Sequence, residues 1–483
     1  MRGLQGAQSS RKAPFVVIAA ACLLLSIFIL RSYVEHVNFR ATIGSSFHSG
    51  GDQTGCPSSL PANAGSDVLL VMKTGATEAH AKLPIHFNTT LRCVPHYVLF
   101  SDVDEEIDGY HVHDTLDSVA ESVKTANADD FALYRLQQEL HAQGVNLGKI
   151  ITNSSEMRSK AWVLDKWKFL PLMEKALAAA PGPHTKWFVF VEADTAFVWS
   201  NLLRWLKWFD PEKPWYIGGQ TWAGGSAFAH GGTGFILSRA ALERLVDHLS
   251  EHPDVYPSLT ADNFAGDLVL ALALKSVDVP LTMGFPILQG ETPYQLDYTE
   301  FHWCHPVVTW HHMSPGWVEK MWEFEQEFLR RVESNHGGGD WMKGRHQEDV
   351  EEVQRKEWNM VMRHYHVFEE FVVPYVRVPE KANWNNFSPD ILQPAMVEEL
   401  GQETGKEGCK RACEKLERCI QWSWAKDRAD GVCRTAEVMR RGEVPDETEW
   451  DGVEMTSGWI VERVDEFMRR MEGCRKGNWI MGP

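Results

Sequence analysis

The chain has 483 residues and a formal net charge of -18, with 48 lysines and arginines against 66 aspartates and glutamates. This length exceeds one compact core of ordinary size, so we expect a large domain and at least one smaller module. The acidic balance offers no attraction to a phosphate backbone, which argues against nucleic acid as a partner.

A basic tail and an apolar run open the chain. Residues 13–30 contain no charged residue, and as a helix they would rise about 27 Å, one hydrocarbon core. Arg2, Arg11 and Lys12 precede the run, and no small-residue cleavage signal follows it directly. We therefore predict a cytosolic tail at 1–12, a transmembrane signal anchor at 13–30 and a single-pass type II topology in a Golgi or endoplasmic reticulum membrane, with the catalytic part lumenal. A cleaved signal peptide is the alternative.

Cysteines and glycosylation sequons agree with a secretory route. Sequons begin at Asn88, Asn153 and Asn386, although Pro389 weakens the third. An even number of cysteines follows the apolar run, which in an oxidising compartment favours disulfides. These eight are Cys56, Cys93, Cys304, Cys409, Cys413, Cys419, Cys433 and Cys474.

The remaining chain divides by composition. Residues 31–65 are rich in glycine, serine, asparagine and proline and are predicted to form a stem. From 66 onward short β-rich runs alternate with helical stretches, the pattern of an α/β domain with a mainly parallel sheet. We predict this domain at 66–320, a helical extension or linker at 321–400 and a small cysteine-rich module at 401–483.

An acidic triplet follows the most strand-like run. Residues 187–191, WFVFV, are aromatic and β-branched and are predicted to be a buried central strand. Glu192, Ala193 and Asp194 come next, where side chains emerge at the carboxyl edge of a sheet, the usual ligand crevice of α/β folds. Carboxylates there could hold a divalent metal that offsets the charge of a leaving diphosphate. Alone, such a triplet is more often a solvated turn.

The neighbouring residues identify a wider pattern. After the triplet come a helix with Asn-Leu-x-x-Trp-Leu from Asn201, a strand around Tyr216, and Gly-Gly-x-Gly-Phe from Gly231 with Ser238 at a fixed distance. In order and spacing this resembles the Fringe and core-1 galactosyltransferase family of β1,3-glycosyltransferases, over residues 66–320. The resemblance implies a GT-A type nucleotide-sugar-binding fold. It also implies an inverting hexosyltransferase that moves a galactose-type or N-acetylglucosamine-type sugar from a UDP-sugar to a glycan or glycoprotein acceptor.

The resemblance further implies a metal site. Asp194 maps onto the aspartate that binds Mn²⁺, and Glu192 onto the acidic position near the ribose. The family's middle carboxylate is Ala193 here, so fewer charges face a cation. His311 resembles the histidine that completes the metal site, with His312 as the alternative, and imidazole is a suitable ligand beside oxygen donors. Two histidines packed beside an aromatic strand are the plainer interpretation.

Other family positions implied to contact the nucleotide lie on a strand, a turn and a glycine-rich loop. Lys73, Thr74 and Asp102 resemble the residues that face the nucleotide. Gly232 and Gly234 lie in the loop that would shape the donor and acceptor pocket, although glycine clusters also mark ordinary turns.

An inverting transfer also needs a carboxylate to accept the proton of the acceptor hydroxyl. Asp267 is the candidate, because it resembles the acidic pair that opens a helix after the glycine-rich loop; Asp262 is the alternative. A carboxylate favoured only by the helix dipole is the plainer reading. Trp222 and Trp303 are candidates to stack on sugar rings.

The last part of the chain resembles a PAN/Apple module. The residues that carry this resemblance are Cys409, Cys413, Cys419, Trp422, Trp424, Cys433, Ser457, Gly458 and Trp459. It implies pairing of Cys409 with Cys433 and of Cys413 with Cys419, leaving Cys474 for Cys304 or another cysteine. The module would recruit a protein or carbohydrate, or simply cap the large domain. Because the nucleotide site is assigned before 320, we expect residues from about 401 onward to be dispensable for nucleotide binding.

Two other functions remain open. One is a catalytically silent glycosyltransferase fold that serves as a chaperone or glycan-binding protein, and the other is an anchored PAN-type adhesion protein. Retention of Asp194, a histidine and Asp267 favours the enzyme, because an inactive relative would be free to lose all three.

Overall fold

The computed structural model describes residues 56, 60, 64–149, 155–335, 358–426, 431–445, 452–472, 474 and 479. The predicted tail, the predicted anchor at 13–30 and nearly all of the predicted stem lie outside these residues. Among the described residues, no helix combines the length and apolar character needed to cross a membrane.

The strands and helices are numbered in chain order. The strands are β1 (Val68–Lys73), β2 (Tyr97–Ser101), β3 (Glu105–Ile107), β4 (Tyr110–Asp114), β5 (Trp187–Glu192), β6 (Ala196–Phe197), β7 (Tyr216–Gly218), β8 (Gln220–Ala223), β9 (Ser226–Ala229), β10 (Phe235–Ser238), β11 (Leu281–Met283), β12 (Leu288–Gln289), β13 (Thr309–Trp310), β14 (Glu380–Ala382), β15 (Asp390–Leu392), β16 (Gln421–Lys426), β17 (Val432–Ala436) and β18 (Glu454–Trp459). The α-helices are α1 (Ala76–Asn88), α2 (Glu121–Ala126), α3 (Ala132–Ala142), α4 (Ser155–Asp165), α5 (Phe169–Ala178), α6 (Trp199–Leu206), α7 (Arg239–Glu251), α8 (Val255–Asp262), α9 (Gly266–Ser276), α10 (Glu300–Trp303), α11 (Pro315–Asn335), α12 (His364–Phe371), α13 (Val373–Val376), α14 (Pro394–Gly401), α15 (Gly405–Lys415) and α16 (Val461–Arg470).

An eight-stranded mixed sheet forms the centre of the large domain. Its strand order is β11-β7-β10-β5-β1-β2-β4-β3. Strand β5 is central, as the aromatic run predicted, and pairs in parallel with β1. Strand β10 runs antiparallel to both β5 and β7. The sequence pattern predicted a mainly parallel sheet, but β7 connects to β10 through the β8–β9 hairpin without a crossover helix, and antiparallel neighbours need none.

Both faces of the central strands are buried. On β1, Leu69 and Val71 pack against one hydrophobic core with Phe169 of α5. Leu70 and Met72 face the opposite core. Burial of alternate residues on both sides explains why these strands are almost wholly apolar and why polar side chains appear only at their ends.

The C-terminal part forms a five-stranded antiparallel sheet in the order β14-β18-β16-β17-β15. Two of these strands, β14 and β15, precede residue 401, the predicted start of the module. This sheet shares a core with the large domain, in which Trp384 and Trp459 lie in one cluster with Val198 and Trp303. Removal of residues from 401 onward would therefore expose part of the core of the large domain, and their dispensability for nucleotide binding stays a prediction.

Four disulfides link the described cysteines: Cys56–Cys93, Cys304–Cys474, Cys409–Cys433 and Cys413–Cys419. The two pairs implied by the PAN/Apple resemblance are confirmed, and Cys474 takes Cys304, which ties the end of the chain to the large domain.

The sequons differ in accessibility. Asn88 is exposed, whereas Asn386 is buried. The amide of Asn386 donates a hydrogen bond of 3.0 Å to the carbonyl of Trp422, so the third sequon is closed to glycosylation in the folded protein. Asn153 lies outside the described residues.

Candidate active site

The acidic triplet lies at the carboxyl end of β5. Glu192 ends the strand and Asp194 lies in the turn that follows. Between them, Ala193 is only 3% exposed and packs in the hydrophobic core. Its carbonyl accepts a hydrogen bond of 2.8 Å from His86. Because the middle side chain points into the core, alanine at this position leaves both crevice carboxylates in place.

A second, three-stranded sheet brings His311 to these carboxylates. Strand β13 pairs antiparallel with β6, with Trp310 opposite Ala196. This register carries the next residue, His311, to the turn after β5. Its Nε2 lies 3.5 Å from Asp194 Oδ1 and 3.7 Å from Glu192 Oε2. The structure therefore brings together the two predicted metal ligands, 117 positions apart in the sequence.

The alternative histidine also lies here. Ligand atoms of Asp194, His311 and His312 all lie within 4.8 Å of one another. His312 has φ of 57°, a left-handed conformation that a non-glycine residue adopts at a cost of about 1 kcal/mol or more and that occurs often at functional sites. The Met313 amide donates to the Asp194 carbonyl at 2.8 Å and holds this turn against the triplet. One carboxylate and two imidazoles form a donor set for a divalent first-row metal ion.

The charges of the site are strongly coupled. Burial alone would lower the pKa of His311, but its hydrogen bonds to Asp194 and Glu192 and their negative charges outweigh burial and raise that pKa to about 9. Burial would raise the pKa of Glu192, yet Lys73 and His311 hold it well below its usual value. The pKa of Asp194 is likewise lowered, against burial, by His311 and Lys82. Both carboxylates are therefore ionised at neutral pH.

Two lysines reach the same carboxylates. The buried Lys73 ammonium lies 2.6 Å from Asp165 and 3.1 Å from Glu192. The Lys82 ammonium lies 3.1 Å from Asp194. Lys73 was a predicted nucleotide residue, whereas sequence reasoning missed Asp165 and Lys82. Lys82 stands four residues after Glu78 on α1, a spacing typical of an ordinary surface ion pair, so it carried no sequence signal.

Thr74 and Asp102, which were also predicted to face the nucleotide, are buried. The Asp102 carboxylate is 2% exposed and pairs with Lys168 at 2.6 Å. It also accepts a hydrogen bond from the Ala76 amide at the start of α1. Lys168 donates to the carbonyl of Thr74, itself buried. Asp102 was expected to face the nucleotide, but in the structure it holds α1 and Lys168 beneath the crevice.

The glycine-rich loop packs directly on the metal-ligand candidates. A Cβ added at Gly232 would lie 2.0 Å from His311 Cε1. The Thr195 hydroxyl donates to the Gly232 carbonyl at 2.9 Å, which holds the loop against the triplet. Gly234 has φ of 76°, where a side chain is disfavoured. Glycine is therefore needed at 232 because His311 packs against its backbone, and at 234 because of its backbone conformation.

Asp267 opens α9 and faces the same loop. Its carboxylate accepts hydrogen bonds of 2.9 Å from the Gly231 and Leu268 amides. A Cβ added at Gly231 would lie 3.3 Å from Glu192 Oε1, so Gly231 lies between the two carboxylates. Burial raises the pKa of Asp267, against the lowering effect of the Gly231 N–H and His230. Asp262, the alternative, is exposed at the end of α8.

Aromatic residues near the crevice differ from those proposed from the sequence. Trp222 is 65% exposed on β8. Trp303 is buried against Phe368, which removes it as a sugar platform. Sequence reasoning missed an exposed pair, Trp162 and Phe264, whose rings lie 6.4 Å apart at 19°.

Comparison with known proteins agrees with this geometry. Residues 64–286 match the Fringe-like family model. The segment 64–286, the Fringe-like domain, contains the carboxylates, lysines and glycines of the site described above, whereas His311, His312 and the turn that holds them lie beyond it. The chain is also similar to mouse beta-1,3-glucosyltransferase, with 28% identity over 165 residues. That alignment covers 32% of this chain and 31% of the mouse protein, about a third of the relative's length. The two similarities support a glycosyltransferase.

Proposed function

We propose that this protein is an inverting hexosyltransferase that moves a sugar from a UDP-sugar to a glycan or glycoprotein acceptor with the aid of Mn²⁺. The observation that carries the proposal is the convergence of Asp194, His311 and His312 beside Glu192, at the carboxyl edge of the sheet in the Fringe-like domain. Ligands of α/β folds bind at this edge.

Charge compensation is the main chemical requirement of the donor half. Bound Mn²⁺ would offset the negative charge of the leaving diphosphate. Asp194, His311 and His312 would hold it, and Glu192 would lie near the ribose. Lys82, already 3.1 Å from Asp194, adds a positive charge beside the place where the diphosphate would lie.

Proton removal from the acceptor falls to Asp267. An inverting transfer needs the base on the face of the sugar opposite to the diphosphate. Asp267 lies across Gly231 from Glu192, and its raised pKa brings the carboxyl closer to working pH, which suits a general base. Trp162 and Phe264 stand three residues before Asp165 and Asp267 respectively, and offer the acceptor sugar an aromatic surface.

The name of the mouse relative bears on donor and linkage. It is a beta-1,3-glucosyltransferase, which supports a β1,3 linkage for this chain. Glucose therefore joins galactose and N-acetylglucosamine among the donors to be tried.

The cellular setting belongs to the same proposal. Four disulfides require an oxidising compartment. With the apolar run at 13–30, this supports a type II membrane protein of the Golgi or endoplasmic reticulum. The Cys409–Cys433 and Cys413–Cys419 pairs support a PAN/Apple-like module, fused to the large domain through their common core.

Calorimetry of UDP with and without Mn²⁺, followed by a sugar-transfer assay, tests the proposal. UDP should bind more tightly with Mn²⁺. Asp194→Asn should lower the affinities for UDP and for Mn²⁺ together by roughly a hundredfold, because an anionic ligand is lost. Asp247→Asn, at an exposed carboxylate of α7, is the matched control.

The same measurements separate the alternatives. UDP binding without transfer to any acceptor would favour the catalytically silent chaperone or glycan-binding protein. Absence of UDP binding in the folded protein would favour the adhesion protein. Unchanged Mn²⁺ dependence in Asp194→Asn would overturn the metal-site assignment.

A further inference from the structure

A second cluster of side chains of the types that bind metals lies at the β4–β3 edge of the central sheet, away from the crevice. Strands β3 and β4 form a hairpin at the sheet edge, joined by Asp108 and Gly109 with φ of 51° and 82°. Positive φ at both turn positions is typical of the tight type I′ hairpin turn, which fixes the register of the strands. Glu106 pairs with His111 in this register, and Asp104 therefore comes level with His113.

Three side chains converge on one face of this hairpin. His111 and His113 are two residues apart on β4 and so point to the same face. Their rings lie 4.2 Å apart. Asp104 Oδ2 lies 3.1 Å from His111 Nε2 and 3.9 Å from His113 Nδ1. All three ligand atoms lie within 4.8 Å of one another.

We propose that Asp104, His111 and His113 form a second metal site, which binds Zn²⁺. In a tetrahedral zinc site with bonds of about 2.0–2.1 Å, neighbouring ligand atoms lie about 3.3 Å apart. The two distances from Asp104 Oδ2 bracket this value. Three protein ligands leave a fourth position for water or for Glu106, which lies on the same face as its partner His111.

Without a metal, Asp104 and His111 lie within hydrogen-bonding distance at 3.1 Å. His113 directs Nδ1 toward the same carboxylate oxygen at 3.9 Å. A cation held between the three atoms would be coordinated by both imidazoles and the carboxylate at once. The ammonium of nearby Lys175 is paired with Asp117 at 2.5 Å, which offsets its repulsion of a cation.

The edge site is separate from the crevice, although both offer one carboxylate and two imidazoles. Two strands, β1 and β2, stand between β5 and β4 in the sheet, which at the usual strand spacing is about 14 Å. Imidazole ligands bind Zn²⁺ far more tightly than Mn²⁺. The inference does not rest on the transferase proposal, because it uses none of the crevice residues.

Zinc titration of the full chain tests this site. The protein is stripped with a chelator and titrated with Zn²⁺ by calorimetry, and with Co²⁺ by visible absorption, in an Asp194→Asn background that disables the crevice site. One site per chain is expected. Adding Asp104→Asn and His111→Gln should weaken Zn²⁺ at least about tenfold and abolish the tetrahedral Co²⁺ bands.

The matched control removes a different histidine pair. His248 and His252 lie one turn apart on and just after α7 and form another cluster with Glu251. His248→Gln with His252→Gln should leave the tight Zn²⁺ site intact. Asp104 is 62% exposed, so Asp104→Asn alone serves as a second variant that preserves the fold. Undiminished Zn²⁺ binding in the Asp104 variants, or its loss in the His248 and His252 control, would overturn the proposal.

Discussion

The imidazole of His311 lies directly on Gly232, where an added Cβ would come within 2.0 Å of Cε1. Gly232→Ala should therefore displace His311 from Asp194. Mn²⁺ affinity should fall roughly tenfold to a hundredfold, the scale for a misplaced metal ligand. Calorimetry measures the affinity, and a melting curve verifies the fold. Gly316→Ala, where an added Cβ meets nothing within 4 Å, should leave Mn²⁺ binding unchanged; an equal loss in both variants would contradict the explanation.

Asp267→Asn should separate binding from chemistry. A base acts only in the transfer step, so UDP and Mn²⁺ should bind as before while turnover drops by roughly a hundredfold or more. Calorimetry and the transfer assay are made on one preparation. Asp262→Asn, at the exposed alternative, should keep full turnover. The reverse result would transfer the role to Asp262.

Lys82→Gln should have opposite effects on the two ligands of the crevice. The Lys82 ammonium, 3.1 Å from Asp194, competes with a metal ion, so Mn²⁺ affinity should rise roughly fivefold to tenfold. UDP binding without metal should weaken, because the diphosphate loses a positive charge. Lys160→Gln breaks a pair of the same helical spacing with Glu156 and should change neither. Weaker Mn²⁺ binding in Lys82→Gln would show that the lysine supports the metal.

Trp162→Ala should affect the acceptor alone. Its ring is 57% exposed and stacks with Phe264 beside α9. Loss of an aromatic surface for a sugar should raise the acceptor KM by roughly tenfold. UDP affinity should stay the same. Trp208→Ala, at a 54% exposed tryptophan after α6, is the control, and an unchanged acceptor KM in Trp162→Ala would place the acceptor elsewhere.

Acid should destabilise the core shared by the two sheets through His364. Burial lowers the pKa of His364 to about 3, and the neighbouring His302 has its pKa lowered by burial to about 4. An unfolded histidine has a pKa of about 6.5, so the unfolded chain takes up protons first. The stabilising effect of the neutral rings is therefore complete above pH of about 6.5 and is lost as pH falls toward the folded values.

Denaturant unfolding across this pH range measures the effect. His364→Gln keeps a donor for the Pro286 carbonyl, which His364 contacts at 2.9 Å, but cannot take up the proton. Between pH 6.5 and 4 the free energy of unfolding should fall in both proteins, and this fall should be smaller in His364→Gln than in the parent by up to roughly 3 kcal/mol. His141→Gln, at an exposed ring of α3, should follow the parent. Parallel curves for all three proteins would exclude His364 as the group concerned.

The sequence by itself determined the features that depend on local pattern. A short aromatic and β-branched run after a Pro-Gly-Pro break is typical of a buried strand, so β5 and the position of Glu192 and Asp194 at its end were predictable. The disulfide pairs Cys409–Cys433 and Cys413–Cys419 followed from a resemblance whose spacing is local. His311 followed from its resemblance to the family histidine, with His312 as the alternative, because local sequence does not show which of two neighbouring side chains turns toward Asp194.

Only the tertiary structure decided which distant charges meet. Lys82 and Lys168 have ordinary helical surroundings in the sequence, yet one reaches Asp194 and the other is buried on Asp102. The direction of β10 and the entry of β14 into the C-terminal sheet also depend on pairings between remote segments. Such pairings depend on the burial of whole sheet faces, and the hydrophobic pattern within one segment does not specify its remote partner. The same packing turned Ala193 into the core, and thereby left a reduced triplet with both of its carboxylates facing the crevice.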